Sequence, residues 1–149
     1  MMTNENIRIL LADDDADDRT EFKEAFETLR MHTVVQTLNN GVELMKFLND
    51  DASIIPDLLF LDLNMPKKSG LECLSEIKNI KRLDKLTIVI FSTSSSQKDI
   101  EETFFRGAHI YLKKPAHFTV LKKTLRRILA INWQYHNSDL NRDNYLFQL

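Results

Sequence analysis

The sequence predicts an α/β fold: a doubly wound, five-stranded parallel sheet in strand order 2-1-3-4-5. Three observations lead there. Strand-like and helix-like segments alternate five times along the 149 residues, the pattern of a parallel sheet with helices on both faces. The segments "DLLFLDL" (57–63) and "LTIVIFS" (86–92) are nearly continuous apolar runs, as strands covered on both faces are. Right-handed crossovers then leave few topologies, of which 2-1-3-4-5 is the commonest for five units.

"IRILLA" (7–12) is a short aliphatic run suited to a buried strand. Phe22, Ala25, Phe26 and Leu29 recur at helical spacing, which predicts a first helix from Ala16 to Arg30. "TVVQTL" (33–38) is β-branched and strand-like, and "NNG" (39–41) ends it. Val42, Leu44, Met45 and Leu48 mark a second helix, and Pro56 precedes the third strand. Gly70 opens a third helix carrying Leu71, Leu74 and Ile77, and the fourth strand follows at 86–92. "SQKDIEETFFRG" reads as a fourth helix, with Ser96 as N-cap and Gly107 just past its end. "AHIYLKK" (108–114) is the fifth strand, and a fifth helix is expected from Pro115 to about Asn132.

Composition narrows the function classes. An apolar fraction of 43% and a charged fraction of 28% are those of one ordinary globular domain. A net charge of −2 gives no long-range pull toward nucleic acid or anionic lipid. No apolar run approaches the ~18 residues that would span a bilayer, and "MMTNENIR" lacks the pattern of a secretory signal. The single Cys73 cannot form an internal disulfide, which fits a reducing, cytoplasmic setting. The four histidines, His32, His109, His117 and His136, show no ligand spacing.

In this topology ligands bind at the carboxyl ends of the strands, at the switch point between strands 1 and 3. Strand 1 runs into "ADDD" and strand 3 into Asp62, so Asp13, Asp14 and Asp62 are expected to converge there. Strand 4 ends at Ser92 and strand 5 at Lys114. Carboxylates packed together resist ionising together. An all-oxygen set, without imidazole or thiolate, suits Mg²⁺ rather than zinc. A carboxylate is also an adequate nucleophile toward phosphorus, with an ammonium and a hydroxyl placed to hold the remaining oxygens. Site and chemistry together point to phosphoryl transfer onto Asp62.

The segments "LLADDDADDR" (10–19), "LLFLDLNMPKKSGLECL" (58–74), "IVIFSTSS" (88–95) and "AHIYLKKPAHF" (108–118) carry a family resemblance. In order and spacing the chain resembles the flavodoxin-like receiver domain of bacterial two-component response regulators. It is most similar to stand-alone receivers that act beside phytochrome-like and other sensor histidine kinases. The resemblance implies Asp62 as phosphoacceptor, with Asp13, Asp14, Asp62 and the Asn64 backbone carbonyl around Mg²⁺. It further implies Ser92 as switch hydroxyl, Lys114 as phosphate-binding lysine, Tyr111 as rotating aromatic, and a cis peptide before Pro115. Position 92 is Ser where Thr is commoner. Thr93 stands where a smaller residue is frequent, which would narrow access to the phosphoryl group.

The same residues admit other readings. Asp15, Asp17 and Asp18 suit the first turn of a helix, where the dipole favours acids. Asp13, Asp15, Asp17 and Glu24 imitate a calcium loop, but Asp18 stands where that loop needs Gly. Asp13 and Asp15 form the D-x-D of an aspartate-nucleophile phosphatase, a reading that leaves Asp62 unexplained. A phosphate-independent interaction module is the third alternative. Lys122, Lys123, Arg126 and Arg127 read as a solvated helix face.

The expected organisation is a receiver over 7–131 and a C-terminal extension over 132–149, too short for an output domain. The reading is therefore a phosphoacceptor in phosphorelay signalling rather than a turnover enzyme. Its partners are a histidine kinase and an unknown downstream protein met at the face of helix 4, strand 5 and helix 5, with no nucleic acid and no membrane. Trp133, Tyr135, Leu140, Tyr145, Leu146, Phe147 and Leu149 are many apolar groups for a free terminus. The extension is thus expected to be ordered, against its own domain or across a two-fold in a homodimer.

Overall fold

The computed structural model of the chain describes residues 6–131 and 145–147. Its strands are β1 (Ile7–Ala12), β2 (Thr33–Leu38), β3 (Leu58–Leu61), β4 (Thr87–Ser92) and β5 (Ile110–Lys113). They pair in parallel in the order β2-β1-β3-β4-β5, the order that the sequence predicts. Its helices are α1 (Ala16–Leu29), α2 (Gly41–Asn49), α3 (Gly70–Lys78), α4 (Gln97–Phe105) and α5 (Phe118–Ala130), with an added 3-10 turn at Lys81–Leu83.

Alternation along each strand divides the core into two layers. Ile9, Leu11, Phe60, Val89, Phe91 and Leu112 face α1 and α5, where Phe22, Phe26, Leu121, Leu125 and Ile128 meet them. Phe22 lies at the centre of that layer, edge-on to Phe60 at 5.0 Å and to Phe26 at 5.1 Å between ring centroids. Leu10, Leu59, Leu61, Ile88 and Ile90 face the other way, onto Leu44, Leu48, Leu74, Ile77 and Ile100 of α2, α3 and α4. Cys73 is buried in this second layer, its thiol 3.6 Å from the Gly41 carbonyl.

Helices α1 to α4 each begin where a side chain satisfies a free amide, whereas His117 before α5 makes no side-chain cap. Asp15, Asn40 and Ser96 accept hydrogen bonds from Asp18, Glu43 and Asp99 backbone N–H groups. Ser69 and Glu72 cap α3 reciprocally. Gly107, at φ 98°, follows α4 in the left-handed conformation expected of it.

Two expectations need correction. The fifth helix starts at Phe118, not Pro115, because the Lys114 N–H is still bonded to the Ser92 carbonyl at 2.8 Å. That bond keeps the chain extended, and a residue before proline avoids the helical region anyway. Among the described residues no peptide is cis, so the Lys114–Pro115 bond is trans. The trans form is intrinsically favoured by roughly 0.5–1 kcal/mol at X-Pro bonds.

The turn after β3 sets Asp62 in place. Gly70 N–H bonds to the Leu63 carbonyl at 2.9 Å, and a Cβ on Gly70 would lie 2.3 Å from the Asp62 carbonyl oxygen. Gly70→Ala should therefore destabilise the fold by about 1–3 kcal/mol through overpacking. The urea midpoint would drop accordingly; an unchanged midpoint would mean that this turn tolerates the added carbon.

Candidate functional site

The site is built from residues that lie just past the strand ends and remain tied to the sheet. Asp13 N–H donates to Leu38 O at 3.0 Å, Asp62 N–H to Ala12 O at 3.0 Å, and Lys114 N–H to Ser92 O at 2.8 Å. The ladder thus continues one residue beyond each strand. It brings Asp13, Asp14 and Asp62 together, with one carboxylate oxygen from each all within 4.8 Å of one another. Asp13 and Asp62 are buried, whereas Asp14 is exposed.

Lys114 reaches into this cluster. Its ammonium lies 2.8 Å from Asp13 Oδ2, 2.8 Å from Asp18 Oδ2 and 3.8 Å from Asp62 Oδ2. The Asp18 contact is a hydrogen bond. The Asp13 oxygen sits at ion-pair distance but outside hydrogen-bond geometry, so it is a buried acceptor without a proper donor. The other Asp13 oxygen accepts from Asp15 N–H at 3.0 Å.

Burial dominates the electrostatics. It pushes Asp62 up to about 7, with Lys114 opposing and the Asp13 charge adding to the rise. Burial likewise raises Asp13, against the ammonium of Lys114. Burial alone would lower Lys114, but its close ion pair with Asp13, its hydrogen bond to Asp18 and the Asp62 charge prevail and push it up to about 12. One ammonium does not neutralise four neighbouring acids. The buried Asp13 oxygen, ion-paired but without a well-aligned donor, and the all-oxygen donor set both fit a hard divalent cation.

The remaining residues singled out from sequence border the cluster. Ser92 is fully buried, and its hydroxyl accepts from Ser94 N–H at 3.1 Å. Tyr111 is also fully buried, and its hydroxyl donates to Ser94 O at 2.8 Å. Asn64 is exposed, and its backbone N–H bonds to the Asp62 carboxylate. Thr93 is exposed and Pro115 half-buried.

Two rival readings lose their geometry here. Residues 16–29 are helical, so 13–24 does not form a calcium loop. The Asp15 carboxylate caps α1 through Asp18 N–H at 3.0 Å, which occupies the second acid of the D-x-D pair. Sequence alone does not single out Asp18, because a first-turn acid is already explained by the helix dipole. A helix starting directly above the acidic strand end was the available signal, since its first turn overlooks the pocket.

Residues 9–126 match the response regulator receiver domain. The chain belongs to the receiver domain family of response regulators. Curated relatives include response regulator Rcp1 of Synechocystis, 32% identical over 124 residues, covering 80% of this chain and 84% of Rcp1. Another is the probable methanogenesis regulatory protein FilR2 of Methanothrix harundinacea, 32% identical over 123 residues, covering 80% and 79%. Among solved structures, the phosphorylated cyanobacterial phytochrome response regulator RcpA superposes with a TM-score of 0.79 at 32% identity, covering 87% of this chain and 95% of RcpA. The Mn²⁺-bound form of Rcp1 gives 0.76 at 30% identity, covering 86% and 95%. The flavodoxin-like receiver fold and the two-component family that the sequence predicts are both established by these matches. Among the described residues of this receiver, no helix is long and apolar enough to cross a membrane.

The raised Asp62 has a consequence for stability in metal-free buffer. Its folded value of about 7 exceeds the ordinary 3.8, so the folded chain retains a proton that the unfolded chain has released. Stability from this group is present below about pH 4 and is lost as pH rises toward 7. Asp62→Asn should melt several degrees above the parent at pH 8 in chelator, with the gap narrowing by pH 5. Equal melting temperatures at both pH values would show that burial does not load this carboxylate.

Proposed function

We propose that the chain is a response regulator receiver that accepts a phosphoryl group from a phosphohistidine of a sensor histidine kinase onto Asp62. One observation carries the reading: Asp62 is a buried carboxylate held at a strand end, 3.8 Å from an ammonium and clustered with two further acids. In the transfer, an Asp62 carboxylate oxygen attacks phosphorus. The new O–P bond forms as the P–N bond to imidazole breaks, and the electron pair stays on the imidazole nitrogen, which is then protonated. Lys114 supports the phosphoryl oxygens once it lets go of Asp13 or Asp18, and the Ser92 hydroxyl turns toward them.

Asp13, Asp14, Asp62 and the Asn64 carbonyl would hold Mg²⁺, which when bound neutralises charge on the phosphoryl oxygens. Tyr111, Thr93 and Pro115 frame the response: Tyr111 fills the space that Ser92 vacates, while Thr93 and Pro115 border the entrance. The chain acts as a signalling phosphoacceptor in the cytoplasm rather than as a turnover enzyme. Its output passes to a downstream protein or to a second copy at the face of α4, β5 and α5. Residues 7–131 form the receiver and 132–149 its extension.

With acetyl phosphate and Mg²⁺, the intact chain should gain the mass of one phosphoryl group, and Asp62→Asn should gain none. Labelling retained in Asp62→Asn would move the acceptor elsewhere and remove this reading. Asp14→Ala should slow labelling at least about tenfold, a loss of transition-state stabilisation of ~1.4 kcal/mol. An unchanged rate, or full labelling in chelator, would assign the acidic pair to another role.

A further inference from the structure

The β5 edge of the sheet is covered by the chain's own C-terminal segment. Leu146 forms a parallel bridge with Tyr111. Tyr111 N–H donates to Tyr145 O at 2.9 Å, and Phe147 N–H donates to Tyr111 O at 2.9 Å. The extension is therefore ordered over 145–147 on its own domain, one of the two arrangements expected from sequence. Trp133, Tyr135, Leu140 and Leu149 lie outside the described residues.

The seat is specific in its chemistry. Tyr145 is fully buried, edge-on to Phe104 at 5.3 Å and to Tyr111 at 6.0 Å. Its hydroxyl donates to Thr103 Oγ1 at 2.5 Å. The Phe147 ring lies 5.2 Å from the Arg127 guanidinium of α5. Strand addition of this kind draws affinity from main-chain hydrogen bonds and selectivity from side-chain pockets, and both are present.

The same seat is wired to the acidic pocket. Ser92 Oγ accepts from Ser94 N–H, Ser94 O accepts from the Tyr111 hydroxyl, and the Tyr111 backbone holds the terminal segment on both sides. Swinging Tyr111 outward would break its bond to Ser94 and remove one wall of the Tyr145 pocket.

We propose that the α4–β5 edge is a strand-addition site whose resident ligand is the chain's own Tyr145–Phe147, and that Tyr111 couples its occupancy to the β4–α4 loop. The segment docks while Tyr111 is inside and holds it there. A protein using this face meets an extended Tyr-Leu-Phe strand that it must displace or build upon. The coupling to phosphorylation rests on the reading of Asp62 given above. Linkage is reciprocal, so whatever draws Ser92 and Tyr111 inward also tightens the segment.

Hydrogen exchange on the full chain tests each part. In Tyr145→Ala, which loses the ring and the Thr103 bond, the Tyr111 amide should exchange at least about five-fold faster, the lower end of ordinary coupling between sites. The β1 and β3 amides should be unchanged. Tyr111→Phe keeps the ring and removes only the bond to Ser94, so the Phe147 amide should also lose protection. Unchanged Tyr111 exchange in the first variant would overturn docking, and unchanged Phe147 exchange in the second would overturn the coupling. Beryllofluoride with Mg²⁺ supplies the phosphoryl arm, with the amides of 62–64 reporting whether the pocket is engaged. Engagement with added protection at Tyr111 and Phe147 supports the link to phosphorylation. Engagement without it overturns that link and leaves Asp62 as acceptor. Silence at 62–64 counts against Asp62 itself, and the two substitutions then decide docking and coupling on their own.

Discussion

Three backbone hydrogen bonds set everything at the carboxyl edge of the sheet. The amides of Asp13, Asp62 and Lys114 each donate to the last residue of a neighbouring strand, Leu38, Ala12 and Ser92. A parallel ladder has a fixed register, so these tethers place two acids and an ammonium without help from flexible loops. Gly70 permits the tight return to α3 directly behind Asp62. The two apolar layers then serve as the support against which that edge is rigid.

A site assembled this way is electrostatically unfinished. Burial drives Asp62 and Asp13 toward their neutral forms, and the one ammonium among them is divided between Asp13 and Asp18 rather than seated on Asp62. Such a pocket gains more from a bound cation or a new anion partner than a satisfied one would. The pocket's tension and its reactivity have the same source: carboxylates held where water is scarce.

Much of this was legible in the sequence because the informative residues interrupt a pattern. Asp62 closes an otherwise apolar run, and the acids after "IRILLA" sit where a buried strand should simply turn. The order of strands followed from alternation, handedness and the prevalence of 2-1-3-4-5 among five-unit sheets. What stayed hidden depends on contacts between distant parts of the chain. Asp18 has an adequate local explanation, and its bond to Lys114 joins residues 96 apart. The start of α5 slips to Phe118 while Lys114 stays with the sheet; Pro115 hints that Lys114 is extended, but the bond to Ser92 that holds it joins distant parts of the chain. For the terminal segment, composition shows that Tyr145, Leu146 and Phe147 need cover. It does not show that a parallel bridge to Tyr111 provides it.

Cys73 shows how the packing limits the chain's other covalent chemistry. Its thiol is fully buried between α3 and the start of α2, and that burial pushes it up to about 12. Oxidants and alkylating reagents attack the thiolate, a form that is almost absent here at neutral pH. Two copies cannot join through a disulfide at this position unless α3 first parts from α2. As folded, its one sulfhydryl packs as a small apolar wedge rather than meeting reagents in solution.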